Sequence, residues 1–114
     1  MNIFNYFSQK INVVIGEMQT AGEVPANLDL QRVSAEAPRD ANHGDVATNA
    51  ALVLSKPAGM NPRTFAEMLS ARLALLPDVS ASEVAGPGFI NLRLSNLFWQ
   101  ERLREIIQAG TDYG

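Results

Sequence analysis

The sequence predicts an α+β fold, in which a small antiparallel sheet of about three or four strands carries four helices packed mainly on one face. Apolar residues recur at the spacing of amphipathic helices in four separate segments. Two short segments of strand character flank a Gly-Pro-Gly sequence at 86–88, which is typical of a β-hairpin. Because helices are interspersed with strands that can pair antiparallel, these observations together favour the α+β class.

Size and composition restrict the possibilities further. The chain has 114 residues, enough for one core, so 1–114 are predicted to form a single domain. No apolar run approaches the roughly 20 residues of a membrane span, and the N-terminus lacks the pattern of a secretory signal. The absence of cysteine excludes disulfides and thiolate metal sites, which is consistent with a cytoplasmic protein. The formal net charge of -3 argues against a free-standing nucleic-acid binder, so any RNA contact should be local.

The N-terminal part of the chain predicts a helix followed by an irregular segment. A single apolar stripe predicts a helix from about Ile3 to Thr20. Gly22 is a plausible left-handed cap, and Pro25 prevents an immediate second helix. Weak alternation within 28–37 predicts an edge or half-buried strand that ends at Pro38.

Two further helices are predicted in the middle of the chain, after a polar loop over 39–44. Asp45 is predicted to cap the first, since its carboxylate can accept hydrogen bonds from the free amides of a helix start. This helix should end at 56–59, a Lys-Pro-Ala-Gly sequence. Asn61 and Pro62 suit the N-cap and first position of the next helix, which Pro77 should stop. The apolar residues of the two helices are Val46, Ala47, Ala50 and Leu54 in the first, and Phe65, Met68, Leu69, Leu73 and Leu76 in the second.

The C-terminal part predicts the hairpin and a last helix. Strands are expected over 82–85 and 89–94, on either side of the Gly-Pro-Gly turn. Ser95 or Asn96 should cap the helix, and Gly110 should close it. The apolar side of this helix is predicted to comprise Trp99, Leu103, Ile106 and Ile107.

The strand over 89–94 is the most informative segment for function. Since side chains alternate between the faces of a strand, one face should carry Ile90, Leu92 and Leu94 and the other Phe89, Asn91 and Arg93. The second set combines an aromatic ring, an amide and a guanidinium, which suit the stacking, edge recognition and phosphate binding of an unpaired nucleotide. The alternative is a strand buried on both faces, with Phe89 under a helix. The pattern alone favours that alternative.

Two motifs change this balance. The stretch HGDVATNAALVLSKPAGMNPR (43–63) and the segment VAGPGFINLRLS (84–95), with a C-terminal helix that ends in GTDYG, resemble the N-terminal additional domain of bacterial arginyl-tRNA synthetases. The resemblance implies that the domain contacts the D-loop at the outer corner of tRNA and reads an unpaired base there. It implies base contacts by Gly86, Phe89 and Asn91, whereas a phosphate contact by Arg93 is expected from strand geometry alone.

The resemblance also implies that catalysis is carried out by a different domain of the parent enzyme. The parent enzyme would be an ATP-dependent arginine–tRNA ligase of the cytoplasm, and ATP would be used by a catalytic domain that is absent from this chain. Neither the HIGH nor the KMSK signature of class I synthetases occurs here, and Gly86-Pro87-Gly88 lacks the Lys-Ser/Thr of a P-loop. This fragment alone is therefore predicted to be non-catalytic, without a cofactor, a metal or a membrane. Its partners would be the arginine-accepting tRNA and its own catalytic domain.

The first motif contains the one histidine of the chain. His43 could belong to a metal site or an acid–base pair with Asp45, but zinc sites need further His or Cys ligands and no nucleophile motif is present. His43, Gly44, Asp45 and Asn49 are therefore assigned to a structural motif, with Asn49 either bonding a neighbouring turn or holding an RNA-facing loop.

Two other classes of function are considered. A non-catalytic protein-interaction module would bury Phe89, Trp99 or Tyr113 against a partner, and such a module could coexist with RNA binding. A small enzyme is disfavoured, because the sequence has no nucleophile or metal constellation.

Overall fold

The structure, a computed structural model, describes residues 3–38 and 44–109, with the side chains of 105–109 excepted. It has four helices and a four-stranded antiparallel sheet within these ranges, so the predicted α+β class is confirmed. A short 3₁₀ turn, Leu30–Arg32, precedes the first strand. The elements in chain order are α1 (Ile3–Thr20), β1 (Ala35–Glu36), β2 (Val46–Thr48), α2 (Ala50–Ala58), α3 (Pro62–Leu73), β3 (Val79–Ala85), β4 (Phe89–Leu94) and α4 (Asn96–Ala109).

The strand order is β1-β2-β4-β3, with every neighbouring pair antiparallel. β4 is therefore a central strand, held by β2 on one side and by its hairpin partner β3 on the other. Leu92 lies opposite Val46, and Ile90 lies opposite Thr48. Because partners across a ladder share a face, these residues define one face of the sheet, which we call the inner face.

The hydrophobic core lies between the inner face and the helices. Ile90 and Leu92 are fully buried, and Leu94 is 6% exposed, so the predicted core face of β4 is confirmed. α1 has the predicted bounds and buries one stripe against this core, which lies along Phe7, Ile11, Val14, Ile15 and Met18. α3 packs into the same core through Phe65, Ala66, Leu69 and Leu73.

The predicted start of the helix directly after Asp45 is wrong. Residues 46–48 form the strand β2, and α2 begins at Ala50. Asp45 does not cap a helix: its Oδ2 accepts a hydrogen bond from the Leu94 backbone N–H at 2.9 Å. Its own backbone N–H donates to the Leu92 carbonyl at 2.8 Å. The carboxylate thus joins the end of β2 to β4, and it adds a tie between central strands.

Most other boundaries follow the sequence. Asn61 caps α3 through a hydrogen bond from the Arg63 N–H to its Oδ1 at 2.8 Å, and Pro62 occupies the first position, as predicted. Gly59 ends α2 in the left-handed conformation, with φ of 68°. The strand predicted over 82–85 is longer and begins at Val79, with a register irregularity near Ala81. β1 is an edge strand, as expected, but it is only 2 residues long.

The prediction for α4 is wrong in the side that it buries. Ser95 caps the helix, because its Oγ accepts a hydrogen bond from the Phe98 N–H at 3.2 Å. Phe98 is the buried residue, and its ring stacks on Phe7 with 5.4 Å between centroids. Trp99 and Leu103, predicted to be apolar contacts, are 42% and 58% exposed. The side chains of Ile106 and Ile107, and the predicted cap Gly110, lie outside the described part of the chain.

Candidate nucleic-acid interface

The second face of the sheet, which we call the outer face, carries the candidate site. Asn91 lies opposite Ala47 in β2 and Glu83 in β3, and Ala47 lies opposite Glu36 in β1. A groove of about 490 Å³ runs between the tip of the β3–β4 hairpin and the β1 edge. We call it the outer groove; its lining residues are Glu36, Ala37, Pro38, Ala47, Thr48, Ala85, Gly86, Pro87, Phe89 and Asn91.

The hairpin turn at one end of this groove is held against two helices. Gly86 has φ of 59°, a left-handed conformation that favours glycine. Its carbonyl accepts a hydrogen bond from Arg63 Nη1 in α3 at 2.9 Å. A Cβ on Gly88 would come within 3.1 Å of Pro62 Cβ and 3.3 Å of Leu52 Cδ2, so the turn packs closely on α2 and α3. The position of the turn, and hence of the residue that follows it, is therefore fixed by contacts from two sides.

Phe89 is the aromatic residue of the outer groove. It is 40% exposed and lines the groove, directly after the Gly-Pro-Gly turn. This exposure contradicts the alternative in which Phe89 lies under a helix in a strand buried on both faces. A large exposed aromatic side chain on a rigid strand provides a flat apolar surface, and such a surface can stack with any nucleobase.

Asn91 lies on the outer face as predicted but is only 8% exposed, so the expected greater exposure is wrong for this residue. It occupies the centre of the sheet, between β2 and β3, and the neighbouring strands shield it. Its carboxamide lines the outer groove and forms no hydrogen bond with any residue of the described ranges. Its polar atoms still reach the solvent of the groove, since among the described residues the fully buried polar atom without a partner is Asn12 Oδ1 and not an atom of Asn91. An amide in this state, at the wall of a groove, is suited to recognise a polar ligand.

The charges around the site are mixed. Arg93 is exposed on the outer face opposite Ala81, and it is not among the residues that line the outer groove. Glu36 belongs to the lining, and the exposed Glu83 lies beside Asn91 across β3. Two carboxylates near the amide disfavour a phosphate at this position and accept hydrogen bonds from donors of a ligand.

The motif residues before α2 have structural contacts. Gly44 has φ of 144°, and a Cβ there would come within 2.7 Å of the Leu92 carbonyl oxygen, so the chain can pass β4 only without a side chain. Asn49 Oδ1 accepts a hydrogen bond from the Ser34 N–H at 2.9 Å, and its Nδ2 donates to the Arg32 carbonyl at 3.4 Å. These bonds match the structural alternative for Asn49, because they tie α2 to the segment before β1. His43 lies outside the described residues.

Sequence reasoning missed two contributors to the site. Only tertiary structure brings Glu36 to the groove and Arg63 to the hairpin, and no local pattern distinguishes either from an ordinary surface charge. Within the described ranges, no group of three or more possible metal ligands occurs. In the same ranges, no helix is long and apolar enough to cross a bilayer.

Comparisons with known proteins place this geometry in a family. A family model described as the arginyl tRNA synthetase N terminal domain matches residues 5–94. Over all 114 residues, the chain is 50% identical to the arginine–tRNA ligase of Parvibaculum lavamentivorans and 52% identical to those of Cereibacter sphaeroides and Paracoccus denitrificans. It spans 20% of the length of each of these relatives. The solved structure of Thermus thermophilus arginyl-tRNA synthetase shares the fold, with a TM-score of 0.56 and 24% identity over 86% of this chain and 15% of that one. The chain therefore belongs to the family of arginyl-tRNA synthetase N-terminal domains.

Proposed function

We propose that this domain binds the D-loop of an arginine-accepting tRNA through the outer groove, as the tRNA-recognition part of an ATP-dependent arginine–tRNA ligase. The observation that carries the proposal is the pairing of an exposed ring, Phe89, with a buried and unpartnered amide, Asn91, in one groove of the described structure. The D-loop suits this groove because its unpaired bases can leave the stack and present both a flat face and a polar edge.

The two side chains have different roles in this mechanism. The ring of Phe89 stacks on the base and accepts any base, since every base has a π-face. The carboxamide of Asn91 has both donors and acceptors, so it can hydrogen-bond to the polar edge of one base and leave another unsatisfied. Burial holds this amide in place, so little side-chain entropy is lost on binding. Phe89 therefore contributes affinity, and Asn91 contributes discrimination.

Catalysis is assigned elsewhere. The relatives are about five times as long as this chain, because the chain spans 20% of their length. Arginine activation with ATP, and ester formation at the tRNA 3′ end, would belong to that remaining polypeptide. Loss of one stacked base costs about 1–3 kcal/mol, or roughly one to two decades of affinity. This is sufficient to select among tRNAs, and the domain needs no cofactor of its own for it.

Binding of labelled arginine tRNA to the full-length ligase that contains this chain, measured by fluorescence anisotropy, tests the proposal directly, and amide NMR shifts of the 114-residue chain at high tRNA concentration locate the binding face. Phe89→Ala should weaken binding about 10-fold through the lost stacking interaction. Trp99→Ala is the matched control, because Trp99 is also an aromatic with 42% exposure but lies on α4, outside the groove lining. Asn91→Ala should cost less affinity, and it should reduce the difference between tRNAs whose D-loop base has been changed.

In the full-length ligase, the same Phe89→Ala change should raise KM for tRNA and leave KM for arginine and ATP unchanged. The proposal fails if Phe89→Ala and Trp99→Ala bind tRNA equally well as folded proteins. It also fails if tRNA shifts the amides of another surface and leaves those of 85–91 in place. The second result would locate the RNA-binding face elsewhere on the domain.

A further inference from the structure

A nucleotide bound in the outer groove carries a negatively charged phosphate, and the described groove lining has no positive charge to bind it. None of the described residues in that lining is basic, and Glu36 contributes a negative charge. Protein contacts with nucleic acids are made largely to phosphates and draw on Lys and Arg. The domain carries a net charge of -3, so a phosphate near the groove requires a specific cation.

Arg63 is the cation that the fold brings to the hairpin turn. Its Nη1 donates to the Gly86 carbonyl at 2.9 Å, and the next residue but two, Phe89, is the aromatic wall of the groove. The guanidinium has five N–H donors in a planar fork, and this bond uses one of them. The only other described partner is Glu67, at 3.8 Å from Nε, which is beyond hydrogen-bond distance.

The surroundings leave this guanidinium accessible. The Arg63 and Glu67 side chains are 57% and 66% exposed. An exposed pair of this kind on one helix contributes little, so Glu67 does not hold Arg63 strongly. The bond to Gly86, by contrast, fixes the head group beside the turn, with donors still directed to solvent.

We propose that Arg63 binds the backbone phosphate of the nucleotide whose base stacks on Phe89, while it also holds the Gly86 carbonyl. The assignment rests on the proposed function and deepens it. The fork geometry matters here: one edge of a planar guanidinium can bond the turn while another edge bonds a phosphate oxygen. In this role Arg63 couples the position of the turn to the presence of the ligand.

Arg93, the residue expected from strand geometry to bind phosphate, is less well placed for this nucleotide. It lies four positions along β4 from Phe89, a distance of about 13 Å at the usual rise of a strand. Glu83 and Asn91 occupy the interval on the outer face. A phosphate of a neighbouring nucleotide could still reach Arg93, so the two arginines would act at different points of the RNA.

The test is the salt dependence of tRNA binding by the full-length ligase that contains this chain, measured between 50 and 200 mM KCl on the arginine tRNA. Arg63→Gln should lower the slope of log K against log salt by about 0.7, the value for one phosphate contact on a single strand. Affinity at the lowest salt should fall roughly tenfold, in line with one hydrogen bond to a charged group. Arg63→Lys should keep the slope, because the charge remains.

Arg104→Gln is the matched control. Arg104 is an exposed arginine on a helix and has its own ion pair, with Glu101 Oε1 at 3.2 Å from Nη1. Its replacement removes the same charge and a similar pair, at a site outside the groove lining, and should leave the slope as in the wild type. A slope change equal in the two Gln variants would indicate a general charge effect and overturn the assignment.

The remaining outcomes separate this inference from the proposed function. If Phe89→Ala weakens binding and Arg63→Gln keeps the wild-type slope, the groove binds RNA and Arg63 does not contact a phosphate. A loss of affinity in Arg63→Gln without a slope change would assign Arg63 to the turn alone, which also overturns the phosphate contact. If Phe89→Ala and Arg63→Gln both bind tRNA as the wild type does, the proposed function and this inference are both wrong.

Discussion

Replacing Asp45 by alanine should weaken the sheet at its centre. The substitution removes the hydrogen bond from the Leu94 N–H to Asp45 Oδ2, 2.9 Å long, and leaves the backbone bond from Asp45 to Leu92 in place. A hydrogen bond to a charged acceptor contributes about 1.5–3 kcal/mol, and the lower end applies because Asp45 is half-buried. The free energy of unfolding should therefore fall by about 1.5 kcal/mol, which corresponds to roughly 6 °C in Tm for a domain of this size.

Urea denaturation of the 114-residue chain, followed by circular dichroism, measures this loss. Asp45→Asn keeps an acceptor and should lose less than half as much. Asp29→Ala is the matched control, since Asp29 also accepts a backbone N–H, from Gln31 at 3.0 Å, but within an exposed local turn. That control should cost about 0.5 kcal/mol, at the low end of capping effects. An Asp45→Ala protein as stable as the wild type, or an Asp29→Ala loss of equal size, would refute the reasoning.

Two further predictions follow from single residues. Asn12→Leu should raise the free energy of unfolding by about 1 kcal/mol in urea, because Asn12 Oδ1 is buried without a hydrogen-bond partner in the described structure and the new side chain is apolar; an unchanged or lower value would indicate that this oxygen is bonded. Arg72 donates two hydrogen bonds to Glu23, from Nε to Oε1 at 3.2 Å and from Nη2 to Oε2 at 2.5 Å, and this hydrogen bonding is the main cause that lowers the pKa of Glu23 from its ordinary value of 4.5. A carboxylate of lowered pKa stabilises the fold above about pH 4.5 and loses that effect as the pH falls through the folded pKa, so Glu23→Gln should flatten the acid side of the stability–pH curve, and superimposable curves would contradict this.

The elements that sequence predicts well are those with a strong local signal. The apolar stripe of α1 and the alternation of β4 each determine which residues face the core, and the structure agrees with both. The Asn61-Pro62 start of α3 is equally local, because a cap and its partner lie two residues apart. Where neighbouring residues determine an element, the local sequence pattern is sufficient to predict it.

The failures occur where a distant partner decides the structure. All three residues of β2 are buried, so they show no alternation and match a helical face as well as a strand. β2 is a strand because Val46–Thr48 pair with β4. This pairing also brings Asp45 next to β4, so its carboxylate accepts the hydrogen bond from the Leu94 N–H and does not cap a helix. In α4, apolar residues lie on two sides of the helix, so the pattern does not show which side is buried. Phe98 is buried and Trp99 is exposed because Phe98 stacks on the ring of Phe7 in α1.

The candidate site combines both situations. Phe89 could be placed on the outer face from alternation alone, because only the register of β4 was needed. The burial of Asn91 and the presence of Glu36 depend on how β1 and β2 assemble beside β4, so the sequence did not indicate them. The contact between Arg63 and the Gly86 carbonyl links α3 to the hairpin in the same non-local way.

The acidity of the domain constrains how the proposed recognition can operate. One stacked base contributes about 1–3 kcal/mol, and an Arg–phosphate contact adds roughly another 1.5 kcal/mol, whereas a dissociation constant of 1 mM already requires about 4 kcal/mol. If the outer groove binds tRNA as proposed, a domain of net charge -3 that acts alone would therefore bind it weakly. Under the proposed function, the groove is linked to a larger protein that already holds the tRNA, and it would meet the D-loop at an effective concentration of about millimolar order. Occupancy then changes steeply with the identity of one base, because an affinity near the effective concentration lies at the midpoint of the binding curve. A weak, acidic domain is for this reason better suited to discriminate among tRNAs than a basic one, whose affinity for every RNA backbone would hide the contribution of Asn91.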